Sequence, residues 1–170
     1  MGEGGGAVNR SLPEAFRAAA CGLQHALRTQ RNFRIQCAAA GAALLAGLLL
    51  EVPASEVALL ALACGLVLAM ELVNTAVEAL VDGLWPQRSE VARWVKDTSA
   101  AAVVVAATVA VAVGALILAP PLLTRLGMGS GWVRPVVAAG GAGLAAAAAA
   151  WQFAHRRRAA VEDRPKAVVE

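Results

Sequence analysis

The stretch Glu71-Leu-Val-Asn74-Thr-Ala-Val-Glu78-Ala-Leu-Val-Asp82 decides the fold, and it closes an apolar run that begins at Val57. At ~100° per residue, its four polar side chains fall within ~80° of one another on one helix face. A carboxylate at mid-membrane costs ~2.5 kcal/mol or more, so a row of three carboxylates and an amide indicates a functional site in a membrane helix. The alternative is a polar network between helices that is built on protonated carboxyl groups.

This polar row runs inward from Asp82 over ~16 Å, which describes a path from water to membrane depth. Such a path suits an enzyme that joins a soluble substrate to a lipid. Lys96 and Asp97 follow across a polar loop, and beside the row a lysine can neutralise phosphate oxygens while carboxylates hold Mg²⁺. Taken alone, Lys96 is equally well explained as a charge that anchors a helix at the inner membrane face.

The composition of the chain predicts an integral membrane protein. Its 170 residues are 59% hydrophobic, with a mean hydropathy of +0.63, which is more apolar surface than one soluble domain of this size buries. The net charge of +3 comes from basic residues at the edges of apolar runs, and this argues against a nucleic-acid partner. The sequence also contains no G-x-x-x-x-G-K-[ST] motif, which excludes a P-loop nucleotide site.

The predicted fold is all-α: an amphipathic surface helix, three transmembrane helices and a fourth, C-terminal transmembrane helix. Ser11 and Glu14 have the spacing of a capping box, so a helix should begin there. Proline residues 120 and 121 should end the third span. The predicted order is a disordered N-terminus (1–10), the surface helix (11–34), spans at about 35–50, 57–82 and 97–119, an outer loop (120–131), the fourth span (132–155) and a disordered basic tail (156–170).

The distribution of lysine and arginine predicts the orientation. Five arginines precede the first span, three basic residues lie between the second and third spans, and five follow the fourth, whereas the turn after the first span has none. Because cytoplasmic segments carry the excess of basic residues, both termini and loop 83–95 are expected in the cytoplasm, with the spans in a bacterial inner membrane.

These residues resemble the prokaryotic diacylglycerol kinase and undecaprenol kinase family. The resemblance rests on the string E-x-x-N-T-A-x-E-x-x-V-D at 71–82, on Lys96-Asp97, and on Arg31-Asn-Phe-Arg-Ile35, and it extends from about Leu12 to Leu118. It implies a homotrimer of three-span subunits in which ATP, Mg²⁺ and a lipid alcohol meet. The implied reaction is phosphorylation of diacylglycerol or of undecaprenol, and the segment at 31–35 looks more like the undecaprenol branch.

The resemblance also implies the roles of individual residues. Glu71 would be the general base that removes the proton from the lipid hydroxyl, and it would contact the lipid together with Arg34. Asn74 and Lys96 would complete the catalytic set. The implied nucleotide contacts are Glu78, Lys96, Asp97, Gln30 and Asp82.

Glu78 would also bind the metal, and Gln30 stands where the family carries a second metal-binding glutamate. A glutamine coordinates weakly and brings no negative charge. Two alternatives to catalysis therefore stay open: a proton or ion pathway through the same glutamates, and a kinase-like scaffold that lost activity with the charge at position 30. The retention of Glu71, Glu78, Lys96 and Asp97 together favours the kinase.

Overall fold

The computed structural model describes residues 11–85 and 89–143, and these two segments contain helices and turns but no strand. The helices are α1 (Leu12–Thr29), α2 (Arg31–Leu49), α3 (Ala54–Leu84) and α4 (Glu90–Arg125). Helices α2, α3 and α4 are each long and apolar enough to cross a membrane, for which ~20 residues suffice. The prediction of an all-α membrane protein is confirmed.

Helix α1 begins as the sequence predicts. The backbone N–H of Ser11 donates to Glu14 Oε2 at 2.9 Å, which is one half of the capping box. The large apolar side chains of Leu12 and Phe16 are 77% and 75% exposed. An amphipathic helix that presents such side chains outward is suited to lying on a membrane surface.

The break between α1 and α2 falls at Gln30, so α1 ends five residues before the predicted boundary at 34. The backbone of Gln30 is extended (φ −97°, ψ 110°). Arg34 Nη1 donates to the carbonyl oxygens of Leu27 at 3.3 Å and Arg28 at 3.2 Å, which lie in the last turn of α1. The break is thus stabilised by a side chain of the next helix, which satisfies carbonyl groups that a helix end leaves open.

The turn between α2 and α3 is a Schellman motif. Glu51 has a positive φ of 56°, its N–H donates to Leu48 O at 3.1 Å, and the N–H of Val52 donates to Gly47 O at 3.0 Å. Pro53 follows directly and cannot continue the helix. The two spans are therefore antiparallel neighbours joined by a very short connection.

Packing in the first compact unit, residues 1–118, depends on a close approach at Gly47. A Cβ atom at this buried glycine would lie 3.4 Å from Leu60 Cδ1 and 3.9 Å from Leu118 Cδ2, so α3 and α4 both approach α2 here. By contrast, large side chains such as Leu62 and Val111 are 71% and 72% exposed. Exposed apolar surface of this extent is typical of helices that face lipid.

Helix α4 begins at Glu90, earlier than the predicted span start at 97. The hydroxyl oxygen of Ser89 accepts a hydrogen bond from the N–H of Ala92 at 3.0 Å, which is an N-cap. At its other end α4 passes through both prolines to Arg125, although these were expected to end the span. Proline's fixed φ is compatible with helical backbone, and the cost is the loss of two amide donors.

The second compact unit, residues 119–170, is described only as far as 143. After α4 the chain turns at Gly127, where φ is 71°, and the N–H of Met128 donates to Leu123 O at 2.8 Å. A further helical stretch runs from 133 to 143. The remainder of the predicted fourth span, the N-terminus 1–10 and the tail 156–170 lie outside the described residues, so these assignments stay predictions.

We expect the start of α1 to depend on pH through Glu14. The hydrogen bond from the Ser11 backbone lowers the pKa of the Glu14 carboxyl below its ordinary value. The capping interaction is therefore fully present above the pKa that glutamate has in an unfolded chain, and it is lost as the pH falls through the depressed pKa. In NMR spectra of the protein in micelles, the Ser11 amide resonance should titrate with a midpoint below that of ordinary glutamates. Glu14→Gln should abolish this titration, and a midpoint at or above the ordinary value would contradict the capping geometry.

Candidate active site in the membrane helices

Glu71 is buried in the middle of α3, with 4% of its surface exposed. Its carboxylate oxygen Oε2 accepts a hydrogen bond from Nε2 of Gln36 in α2, at 3.1 Å. Its backbone carbonyl accepts from the hydroxyl of Thr75 at 2.9 Å. The bond from Gln36 therefore fixes the rotation of the Glu71 carboxylate from a second helix.

The other end of the Gln36 amide has no partner among the described residues: its Oε1 atom is buried without a hydrogen bond. Leaving a buried acceptor unsatisfied costs ~1–3 kcal/mol, so this orientation of Gln36 is kept at a cost to stability. Gln36 is not among the site residues predicted from the sequence. The available signal was an amide just inside the apolar run that begins at Ile35, because polar groups at membrane depth are rare.

An apolar cleft of about 280 Å³ adjoins this glutamine. Besides Gln36, small side chains line it from α2 (within 39–43), α3 (within 64–67) and α4 (within 107–115). Most of them are alanines, so the cleft is smooth and contains few polar atoms. The buried Glu71 carboxylate therefore accepts a hydrogen bond from Gln36, which lines a cleft suited to an apolar chain.

Further along α3, Asn74 connects two helices. It is 9% exposed, and its Nδ2 donates to Glu78 Oε1 at 2.9 Å. The hydroxyl of Ser99 in α4 donates to Asn74 Oδ1 at 2.6 Å. The predicted row is thus tied to α4 as well as to α2, and Ser99 is a second residue that the sequence analysis missed.

The exposed end of the row carries an ion pair between Lys96 Nζ and Asp82 Oδ1, 2.5 Å apart. The two side chains are 34% and 67% exposed. Because water screens charges this accessible, such a pair contributes ~0–1 kcal/mol, and the ammonium group can change partners at little cost. Lys96 therefore has a defined position but can exchange Asp82 for another anionic partner.

Across the two described segments, no side-chain hydrogen bond joins the remaining predicted residues to this row. Asp97 is exposed next to Lys96, whereas Gln30 and Arg34 lie at the junction of α1 and α2, where Arg34 contacts the last turn of α1. Within the described part of the chain, no group of three His, Cys, Asp or Glu side chains is close enough to hold a metal ion. The roles that the resemblance assigns to these residues stay predictions.

Comparisons with known proteins identify one family. A sequence model described as prokaryotic diacylglycerol kinase matches residues 17–118. A diacylglycerol kinase of Synechocystis sp. is 46% identical over 120 residues, which cover 70% of this chain and 69% of the relative. An undecaprenol kinase of Bacillus subtilis is 37% identical over 109 residues, which cover 64% of this chain and 89% of the relative.

The chain belongs to the prokaryotic diacylglycerol kinase family, as the string at 71–82 predicted. It is a lipid kinase, and its three apolar helices make it a multi-pass membrane protein.

Gln36→Leu tests the contact with Glu71. The change removes the donor to a buried carboxylate, and a hydrogen bond to a charged group contributes ~1.5–3 kcal/mol, so we expect lipid phosphorylation to fall ~10- to 100-fold. The thermal unfolding midpoint in detergent should also fall, because the buried Glu71 carboxylate then lacks this donor. Unchanged turnover would contradict this assignment.

Proposed function

We propose that this chain transfers the γ-phosphoryl group of ATP to the hydroxyl group of a membrane lipid alcohol. The observation that carries the proposal is the buried carboxylate of Glu71 at one end of a polar row, whose hydrogen-bond partner Gln36 lines an apolar cleft. The other end of that row reaches the ion pair of Asp82 with Lys96. One end of the row suits a lipid, and the other suits a phosphorylated, water-soluble substrate.

In the proposed reaction, Glu71 accepts the proton of the lipid hydroxyl, and the oxygen attacks the γ-phosphorus of ATP. The bond from that phosphorus to the β–γ bridging oxygen breaks, and ADP leaves. The hydrogen bond from Gln36 holds the Glu71 carboxylate in one orientation, and Asn74 supports the carboxylate of Glu78. Such a site acts chiefly by positioning groups and by stabilising charge, as phosphoryl transfer requires.

The residues present fit Mg²⁺ as the metal. Magnesium prefers oxygen ligands and is typically bound by one or two carboxylates together with substrate phosphates, so a three-residue protein site is not required. The carboxylate of Glu78 accepts a hydrogen bond from Asn74 at one oxygen, Oε1. Gln30 has an amide oxygen. When bound, the ion would neutralise charge on the phosphate oxygens.

At the water-facing end of the row, the nucleotide would be bound by Lys96, Asp97 and Asp82. The weak ion pair with Asp82 keeps the Lys96 ammonium group in place until a phosphate arrives. Arg34 would contact the lipid headgroup from the start of α2, in addition to its bonds to the last turn of α1.

Either diacylglycerol or undecaprenol fits the proposed chemistry, because both present a hydroxyl group at the membrane interface. The relatives support both choices, since one is named for each lipid. The segment at 31–35 favours undecaprenol or a broad specificity. Transfer of ³²P from γ-labelled ATP to a panel of lipid acceptors in detergent would distinguish them.

In this proposal the protein is a homotrimer in a bacterial inner membrane, with both termini in the cytoplasm. The excess of lysine and arginine around the termini and loop 83–95 supports this orientation, since ATP is then supplied on the same side. The trimer rests on the family resemblance.

Glu71→Gln tests the proposed base. We expect the turnover number to fall by ~10²-fold or more, because amides do not accept the hydroxyl proton. Binding of ATP should be retained. Glu56→Gln is the matched control, since it removes a carboxylate from the first turn of the same helix, and it should leave turnover unchanged. Unchanged turnover in Glu71→Gln would remove this residue from the mechanism, and a wild-type protein that transfers no phosphate would favour the scaffold or ion-pathway alternative.

Gln30→Glu tests the metal assignment. A carboxylate at this position adds a charged oxygen ligand, so we expect half-maximal activity at a lower Mg²⁺ concentration than in the wild type. The dependence of phosphorylation on Mg²⁺, measured at saturating ATP, checks this expectation. An unchanged or higher Mg²⁺ requirement would count against Gln30 as a metal contact.

A further inference from the structure

Ser99 in α4 has no role in the mechanism above, although it contacts the centre of the polar row. Its hydroxyl oxygen lies 2.6 Å from Asn74 Oδ1, and on the other side of the same amide, Asn74 Nδ2 lies 2.9 Å from Glu78 Oε1. The Ser99 hydroxyl is also 2.9 Å from the backbone carbonyl of Lys96. These contacts connect the nucleotide end of the row with the carboxylate of Glu78.

The carboxylate of Glu78 defines which way the amide of Asn74 faces. A carboxylate only accepts hydrogen bonds, so the 2.9 Å contact joins the Asn74 NH₂ group to Glu78. The amide oxygen therefore faces the Ser99 hydroxyl, at 2.6 Å. Two carbonyl oxygens, Asn74 Oδ1 at 2.6 Å and Lys96 O at 2.9 Å, lie within reach of the single hydroxyl proton of Ser99. The contact with Asn74 is the shorter of the two, so we take Asn74 as the main acceptor and the Lys96 carbonyl as the weaker one.

We propose that Ser99 is a positioning residue that holds the Asn74 amide with its NH₂ group towards Glu78, and so fixes the Glu78 carboxylate for metal-bound nucleotide. This inference rests on the proposed function, because the role of Glu78 does. If the hydroxyl is removed, the amide oxygen loses its donor at a site that is only 9% exposed. The Asn74 side chain then turns to other partners, and Glu78 loses its fixed orientation.

The position of Ser99 on α4 explains why it is effective. It lies three residues after Lys96, so both side chains project from one face of α4 towards α3. Lys96 contacts the exposed end of the row and Ser99 contacts its interior. One face of α4 therefore sets the geometry of Lys96 and of Glu78 together.

The test compares Ser99→Ala, Ser99→Thr and wild type, each as the full chain in detergent. Binding of Mn²⁺ in the presence of adenylyl imidodiphosphate, measured by electron paramagnetic resonance, reports on the metal site without turnover. The Mg²⁺ dependence of lipid phosphorylation is the second readout. Thr108→Ala is the matched control, because among the described residues its hydroxyl bonds only to the Val104 carbonyl of the same helix, at 2.8 Å, away from the row.

Ser99→Ala should weaken Mn²⁺ binding and raise the Mg²⁺ requirement about 3- to 10-fold, as expected for the loss of one oriented hydrogen bond. The KM for the lipid should not change, whereas the thermal unfolding midpoint should fall slightly, because the nearly buried Asn74 oxygen loses its donor. Ser99→Thr keeps the hydroxyl and should restore binding. In an Asn74→Ala background, Ser99→Ala should have no further effect, because the two residues act as one unit.

Wild-type Mn²⁺ affinity in Ser99→Ala, or equal losses in the alanine and threonine variants, would overturn the positioning role while the kinase assignment stands. A wild-type protein that neither binds Mn²⁺ with the nucleotide nor transfers phosphate would overturn the proposed function, and this inference with it.

Discussion

The hydrogen bond between Gln36 and Glu71 is the interaction on which the rest of the site depends. A carboxylate in the middle of an apolar helix is tolerated only when other groups of the protein solvate it, because the bilayer offers none. The amide of a neighbouring span provides that contact, at 3.1 Å. The same glutamine lines the apolar cleft, so it connects the buried carboxylate of Glu71 with that space.

The same requirement acts along the rest of α3. Beyond Glu71, each polar residue of the row has a partner on its own helix or on α4, and these contacts become more exposed towards Asp82. Deep contacts are shielded from water, so they maintain fixed geometry, whereas the ion pair at the edge is accessible and easily exchanged. The polar row of α3 therefore has fixed side-chain contacts near Glu71 and exchangeable ones near Asp82.

Much of this architecture could be predicted from the sequence, because spacing and charge are local properties. The row at 71–82, the apolar spans and the capping box of α1 all follow from helical periodicity and residue type. The break at Gln30 could not be predicted in this way: no glycine or proline marks it, and Arg34 stabilises it from the following helix. Gln36 and Ser99 were missed for a related reason, since their importance comes from contacts across helices.

The exposed pair of Lys96 and Asp82 has a consequence for the end of the catalytic cycle. Under the proposed mechanism, the ammonium group leaves its carboxylate to meet the incoming phosphates, so Asp82 becomes a competitor for the same cation. After phosphoryl transfer the nucleotide has one phosphate fewer. Lys96 can then return to its ion pair with Asp82, which weakens the binding of ADP. The carboxylate would in this way speed product release and reset the enzyme for its next turnover.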